Sequence, residues 1–348
     1  MAKLTLGIIG GGQLGSMLCI AAKKIGINTT IFCDDENAPG KNFCDEFIFG
    51  KYESISNIEE FSKKVDLVTY EFENIPYETL KYINKIKKVL PKPKINKIIQ
   101  NRLTEKDFLN SCNIRTVNYV SINSYKDLKS NSNLLPGILK TCTMGYDGKG
   151  QIKINSDNHL EDIVINQDEK YILEKIVNIK KEISIIITRY GQNKFEIYEP
   201  IENLHEDQIL KYSKIPANIS TEILKKSTDW AKIISEELDY IGTLCVEYFV
   251  DKNDNLYVNE VAPRVHNSGH LTINTHNVNQ FENHIRAICG LEKILTKKIC
   301  NGKMINLLGE DINVYRNKKF NSNEFFFDYL KKDIKPKRKM GHITILEK

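Results

Sequence analysis

Residues 4–9 form a short apolar run that passes without a spacer into Gly10-Gly11-Gly12-Gln13-Leu14-Gly15. This junction constrains the fold more than any other stretch. Glycines let a chain leaving a strand turn tightly enough to start a helix at once, and residues 16–24 carry apolar spacing of helical period. A second strand at 29–33 ends in Asp34-Asp35, and another at 65–70 leads into Glu71-Phe72-Glu73-Asn74-Ile75-Pro76. Strand, helix and strand in this order predict a parallel, doubly wound sheet. The glycines also satisfy G-x-G-x-x-G, with Asp34 near the place of a ribose-binding acid, which suits a nicotinamide-dependent oxidoreductase. The plainer account is that the helix start holds another anion, such as a substrate phosphate.

A chain of 348 residues exceeds one ordinary core, so two or three domains are expected. Hydrophobic content of 41% and charged content of 27% describe a folded globular protein. The net charge of +5 fits an enzyme for anionic substrates. No basic stripe with interleaved aromatics occurs outside residues 335–339, so no nucleic-acid partner is expected. The cysteines lack the two-residue gap of a zinc knuckle, which points to free thiols in a reducing compartment. The N-terminal residues enter a strand rather than a signal peptide, and no apolar run reaches the length of a membrane span. The expected location is the cytoplasm.

Two glutamates, Glu247 and Glu260, lie on strand-like runs joined by the polar turn Lys252-Asn253-Asp254-Asn255. A hairpin brings such carboxylates together, and hard oxygen ligands placed this way suit magnesium bound to nucleotide phosphates. By strict alternation Glu260 is expected on the same face as Leu256 and Val258. The plainer account is a solvated edge hairpin. Upstream, Pro91-Lys92-Pro93-Lys94 reads as a linker, and on the helix that follows, Arg102 and Lys106 sit one turn apart on one face. Arg102 could pair with a phosphate, although an exposed basic face is the commoner reason for such a pair.

The strand carrying Lys140 runs into Gly145-Tyr146-Asp147-Gly148-Lys149-Gly150-Gln151. Lysine offers a compact charge to phosphate oxygens, and the loop amides offer neutral donors. The spacing is not that of a P-loop, and a flexible hairpin with a solvated lysine would read the same way. Glu174, Lys175, Ile176 and Val177 end the next strand, where backbone groups could pair with an adenine. Glu182 could accept from ribose hydroxyls, and His205 is a candidate binding residue or simply a surface histidine.

In this order the segments resemble the ATP-grasp superfamily, and within it the N5-carboxyaminoimidazole ribonucleotide synthetases of purine biosynthesis. The resemblance covers nearly the whole chain. It rests on the glycine run, Thr69-Tyr70-Glu71-Phe72-Glu73-Asn74, the Gly145–151 loop, Asn259-Glu260-Val261-Ala262-Pro263-Arg264-Val265-His266-Asn267-Ser268-Gly269-His270, and Arg338-Lys339-Met340-Gly341-His342. The run from Asn259 is the most diagnostic. The chain departs from the family pattern where Met144 and Lys337 stand in place of usual glycines and where Thr141-Cys142-Thr143 replaces a more basic stretch.

The resemblance implies an α/β and α+β architecture: a Rossmann-like parallel-sheet domain at 1–103, a small lid at 104–170, and a larger antiparallel-sheet domain at 171–348. It implies that Arg102 and Lys140 contact ATP phosphates, under a mobile loop that includes Gly145, Gly148, Gly150 and Gln151. Residues 174–177 line the adenine pocket, with Glu182 and His205 near the ribose. Glu247 and Glu260, with Asn259, hold Mg2+, two ions being expected. Substrate contacts fall to Gly12, Gln13, Leu14, Glu73, Asn267, Ser268, His270, Arg338 and Lys339. Catalytic candidates are Tyr146, Asp147, Lys149, Arg264 and Lys335. The implied reaction carboxylates aminoimidazole ribonucleotide with ATP and bicarbonate through carboxyphosphate, in a homodimer. Other ATP-grasp ligases are nearer competitors than an oxidoreductase or a non-catalytic nucleotide-binding protein.

Overall fold

The computed structural model describes residues 3–143, 145, 150–156, 160, 163–166 and 168–347. The expected site residues Tyr146, Asp147, Gly148 and Lys149, and the departure at Met144, lie outside the described residues. The chain opens with β1 (Thr5–Ile9), α1 (Gln13–Lys24), β2 (Asn28–Cys33), β3 (Glu46–Phe49), α2 (Ile55–Lys63), β4 (Leu67–Tyr70) and α3 (Tyr77–Ile86). The four strands pair in parallel in the order β3-β2-β1-β4. Ile8 and Ile31 pack on one face while Ile9 and Phe32 pack on the other, so both faces are buried, as a parallel sheet requires.

Helices α4 (Pro93–Ile99) and α5 (Arg102–Ser111) follow, and Asn101 caps α5 by accepting from Leu103 N at 2.9 Å. Ile95, Ile99 and Leu109 join the core of the large sheet, packing with Ile185, Val246 and Val258. The passage between domains therefore lies before α4, upstream of the expected boundary at 103. A small antiparallel sheet comprises β5 (Tyr119–Ile122), α6 (Tyr125–Ser130) against its face, β6 (Gly137–Thr141), β7 (Gln151–Ile154) and β8 (Tyr171–Lys175), in the order β5-β8-β6-β7. Since among the described residues β8 pairs only here, the change of sheet falls after Lys175 rather than at 170.

The large sheet is built from β9 (Ile179–Gly191), β10 (Lys194–Ile197), β11 (Ile201–Glu206), β12 (Ile209–Ile215), β13 (Gly242–Asp251), β14 (Leu256–Ala262), β15 (Asn301–Leu308), β16 (Glu324–Asp328) and β17 (Lys339–Glu347). Its order is β14-β13-β9-β11-β12-β15-β17-β16, with β10 beside β9. Between β12 and β13, α7 (Thr221–Glu237) is capped by Ser220 and lays Ile223, Ala231 and Ile234 on the sheet. Beyond β14 come α8 (Thr272–Thr275), α9 (Gln280–Ile288) and, after β15, α10 (Asp311–Arg316). Phe281, Ile285 and Ile288 of α9 share a core with Leu14 and Leu18 of α1, which locks the first domain to the large one. All eight cysteines are free, and no described helix is long and apolar enough to cross a membrane.

Candidate active site

A cleft of about 920 Å³ lies where the three sheets meet. The first domain contributes Gly12, Gln13, Leu14 and Glu73. Arg102, Lys140, Gly145, Gln151 and residues 174–177 line the side of α5 and the small sheet, and Glu182, His205, Glu247, Asn259, Glu260, Arg264, Asn267 and Lys339 line the large sheet. Residues scattered over most of the sequence thus converge on one cavity.

Strand pairing places Glu247 directly opposite Glu260, but not by simple alternation. Tyr248 pairs with Val258, so Asn259 is an extra residue, a β-bulge. The bulge reverses the phase of β14: Val258 and Leu256 point into the core beneath α7, whereas Glu260 points into the cleft beside Glu247. The expectation that Glu260 shares a face with Leu256 and Val258 is overturned for this reason. Burial alone would raise the Glu247 pKa; His266, whose Nε2 lies 2.9 Å from Oε1, then His205 and Lys339, outweigh it and hold the carboxyl near 2. Glu260 lies 3.6 Å from Arg102. Two anions facing each other across a strand pair repel unless a cation joins them. Cys245, Glu247 and His266 offer ligand atoms within 4.8 Å of one another. Burial pushes the Cys245 thiol far above its usual range, however, so the available donors are hard oxygens, which fit magnesium.

Opposite the acids, Lys140 Nζ donates to Glu174 Oε2 at 2.7 Å, and Lys106 Nζ lies 3.3 Å from Oε1. Burial pushes Lys140 down, partly countered by Glu174. For Glu174, burial is outweighed by Lys106 and Lys140, leaving its pKa near 2. The Glu174 carboxylate is thus occupied by two lysines rather than free for a purine. Lys106 is 2% exposed. It shares a face with Arg102 as expected, yet that face looks inward, because α5 is wedged between two sheets.

Glu71 explains the glycines. Its carboxylate accepts the amides of Gly12 and Gly15 at the start of α1, and a Cβ on Gly10 or Gly12 would lie within 2.7 Å of it. The anion at this helix start is the protein's own side chain, which leaves no place there for a dinucleotide pyrophosphate. Next to it, Glu73 and Arg264 form a two-point ion pair, Arg264 Nη2 donating to Glu73 Oε1 at 3.0 Å. Burial would raise Glu73, but Arg264 prevails and lowers it. His205 Nδ1 sits 2.7 Å from Glu182; burial lowers its pKa, the Glu182 contact raises it, and the net direction is upward.

Five expected residues among those described do not line the cleft. Ser268 and His270 are fully buried behind it, and the His270 ring packs against Phe281, Tyr329 and His342. Arg338 donates to Asp333 O at 3.0 Å and Lys335 is exposed, so Lys339 is the basic residue of that segment that reaches the cavity. Gly150 is likewise absent from the lining; its φ of +71° and a notional Cβ 2.5 Å from Thr141 Oγ1 explain the glycine. Lys106, Glu71 and His266 have no place among the expected site residues. Only the acidic pattern Glu71-Phe72-Glu73 and the position of His266 between Arg264 and Asn267 hinted at two of them.

Three family models match in sequence along the chain. They are a ribonucleotide synthetase preATP-grasp domain at 1–100, an ATP-grasp domain at 107–281, and a phosphoribosylaminoimidazole carboxylase C-terminal domain at 303–348. The N5-carboxyaminoimidazole ribonucleotide synthase of Staphylococcus aureus (strain MRSA252) is 38% identical over 347 residues, covering 98% of this chain and 92% of that protein. A crystal structure of N5-carboxyaminoimidazole ribonucleotide synthetase with ADP superposes with a TM-score of 0.95 at 36% identity, covering 100% of this chain and 93% of the other. The Aspergillus clavatus synthase in complex with ADP and 5-aminoimidazole ribonucleotide gives 0.90 at 28% identity, covering 99% and 94%.

Proposed function

The chain belongs to the N5-carboxyaminoimidazole ribonucleotide synthase family of ATP-grasp ligases, and from that premise we propose how its own residues carry out ATP- and bicarbonate-dependent carboxylation of 5-aminoimidazole ribonucleotide. The observation that carries the reading is the facing of the Glu247–Glu260 pair by Lys140 and Arg102 across one cleft that also reaches Gly12-Gln13-Leu14 and the Glu73–Arg264 pair.

ATP lies with its adenine at residues 175–177. The amides of Lys175 and Ile176 are committed to the carbonyls of Asn118 and Pro136, which leaves carbonyl groups and Val177 for the purine edge. Glu182, steadied by His205, takes the ribose hydroxyls. Arg102 and Lys140 take the phosphates. Magnesium, held by Glu247 and Glu260 with Asn259 beside them, supplies charge neutralisation on those phosphates when bound. A bicarbonate oxygen attacks the terminal phosphorus, giving ADP and carboxyphosphate, which must be kept from water. The substrate amine then attacks the carboxyl carbon, directly or as carbon dioxide released in the closed site; phosphate leaves and the amine gives up a proton. Asp147 takes that proton, with Lys149 as its electrostatic partner. Arg264, held by Glu73, and Lys339 orient the anionic reactants. Family membership also supports a cytoplasmic homodimer, which light scattering would test.

The deciding experiment is ADP formation measured with aminoimidazole ribonucleotide and bicarbonate each present or omitted, alongside product identification. ADP formation and carboxylated product that require both substrates are expected. Turnover indifferent to both, with no carboxylated product, would overturn the reading.

A further inference from the structure

We propose that Asn203 and its neighbouring serines are positioning residues: they form a one-way hydrogen-bond relay that fixes the His266 ring with its proton on Nε2, aimed at Glu247. Three strands of the large sheet each bury a polar residue on the same side: Ser184 in β9, Asn203 in β11 and Ser213 in β12. Ser213 Oγ donates to Asn203 Oδ1 at 2.8 Å, and Asn203 Nδ2 donates to Ser184 Oγ at 3.0 Å. Ser184 Oγ lies 2.8 Å from Ser268 Oγ, which lies 2.9 Å from His266 Nδ1. The far side of that ring meets Glu247 at 2.9 Å. Every member is buried.

The direction of the relay follows from its catalytic end. Glu247 is a carboxylate and can only accept, so Nε2 carries the proton. The backbone amide of Ser268 points at Nδ1 from 3.3 Å, so Nδ1 carries a lone pair. A hydroxyl has one proton. Ser268 must therefore spend its proton on Nδ1 and accept from Ser184, and Ser184 must accept from Asn203. The amide nitrogen of Asn203 faces Ser184 and its oxygen faces Ser213, as this order demands. No single link can be reversed without leaving a buried group unsatisfied. The relay thus turns the orientation of one amide, two strands away, into the hydrogen bond that directs a cleft carboxylate. Its effect on turnover, though not its existence, rests on the reading of Glu247 as a magnesium ligand.

Asn203→Asp tests the direction, because it replaces the amide nitrogen with an oxygen of nearly the same shape. Residue 203 then only accepts, Ser184 turns its proton toward it, Ser268 turns toward Ser184, and His266 donates through Nδ1. The readout is the nitrogen-15 spectrum of histidine-labelled, ligand-free protein, with His266 identified by its loss in His266→Gln. Wild-type protein is expected to show an N–H at Nε2 and a lone-pair nitrogen at Nδ1, and Asn203→Asp to lose the lone-pair signal at Nδ1. Magnesium needed for half-maximal turnover should rise about tenfold or more in that variant. Ser184→Ala, a milder change, frees the Ser268 hydroxyl and should give a mixture of the two ring forms. A wild-type spectrum with the proton on Nδ1 overturns the relay even if Asn203→Asp does not fold, as does an unchanged spectrum in Ser184→Ala. Loss of the Nδ1 lone-pair signal in Asn203→Asp with an unchanged magnesium requirement would uphold the relay and instead count against Glu247 as the ligand.

Discussion

Replacing Lys106 by methionine removes a buried charge while keeping most of its stem. Lys106 Nζ sits 3.3 Å from Glu174 Oε1, within ion-pair reach but not aligned for a hydrogen bond, and Lys140 holds the other oxygen at 2.7 Å. At 3.3 Å and an effective dielectric of about 20, the Lys106–Glu174 attraction is about 5 kcal/mol. Desolvating the ammonium costs several kcal/mol, and Lys140 and Arg102 repel it. These contributions nearly cancel, and Glu174 keeps one partner in the variant. Lys106→Met should therefore change folding stability by less than about 2 kcal/mol, in either direction. Binding responds differently. Triphosphate arriving at the cleft must draw Lys140 away from Glu174, and only a second lysine can then keep Glu174 paired. Without Lys106 the KM for ATP should rise about tenfold, equivalent to about 1.4 kcal/mol, with a smaller fall in kcat. Urea unfolding and steady-state kinetics on the same preparation measure both quantities. A stability loss above about 3 kcal/mol with an unchanged KM would refute the reasoning and make Lys106 a structural residue only.

Glu247→Gln should abolish magnesium-dependent ATP turnover while leaving the fold intact, as checked by magnesium titration of activity beside circular dichroism. Because the Glu174 pKa is lowered to about 2, its ion pairs contribute stability at neutral pH that disappears as pH falls from about 4.5 toward 2. Glu174→Gln should accordingly lower stability at pH 7 and flatten its dependence below about pH 4.5, measured by denaturation across that range. Asp147→Asn should depress carboxylation far more than ATP binding; equal losses of product rate and ATP affinity would count against Asp147 as the residue that manages the amine proton.

The order of elements, the hairpin of acids and the lysine strand were legible because each depends on local period and turn chemistry. Failures arose where tertiary context reversed a local rule. The helix face bearing Lys106 looks solvated in one dimension because the pattern of a helix wedged between two sheets resembles that of a surface helix. Tyr171–Lys175 reads as the start of the large domain, since a strand does not announce which sheet it joins. His270 looked like a ligand contact because it stands among site residues, but the 3-10 turn at Asn267–Leu271 swings it into the core. The glycine fingerprint was correctly located, yet its anion turned out to be Glu71, some sixty residues downstream, which no local pattern could reveal.

The extra residue in β14 has a consequence for how this enzyme tolerates change. Deleting Asn259 would remove the bulge yet keep Val258 opposite Tyr248 and Glu260 opposite Glu247, so the acid would still face the cleft, whereas one residue inserted between Val258 and Glu260 without a second bulge would turn Glu260 toward α7. Replacing side chains one at a time would never expose this asymmetry, because it depends on the number of residues in the strand and not on their chemistry. Insertion of a single codon here is therefore expected to be far more damaging than deletion of the Asn259 codon.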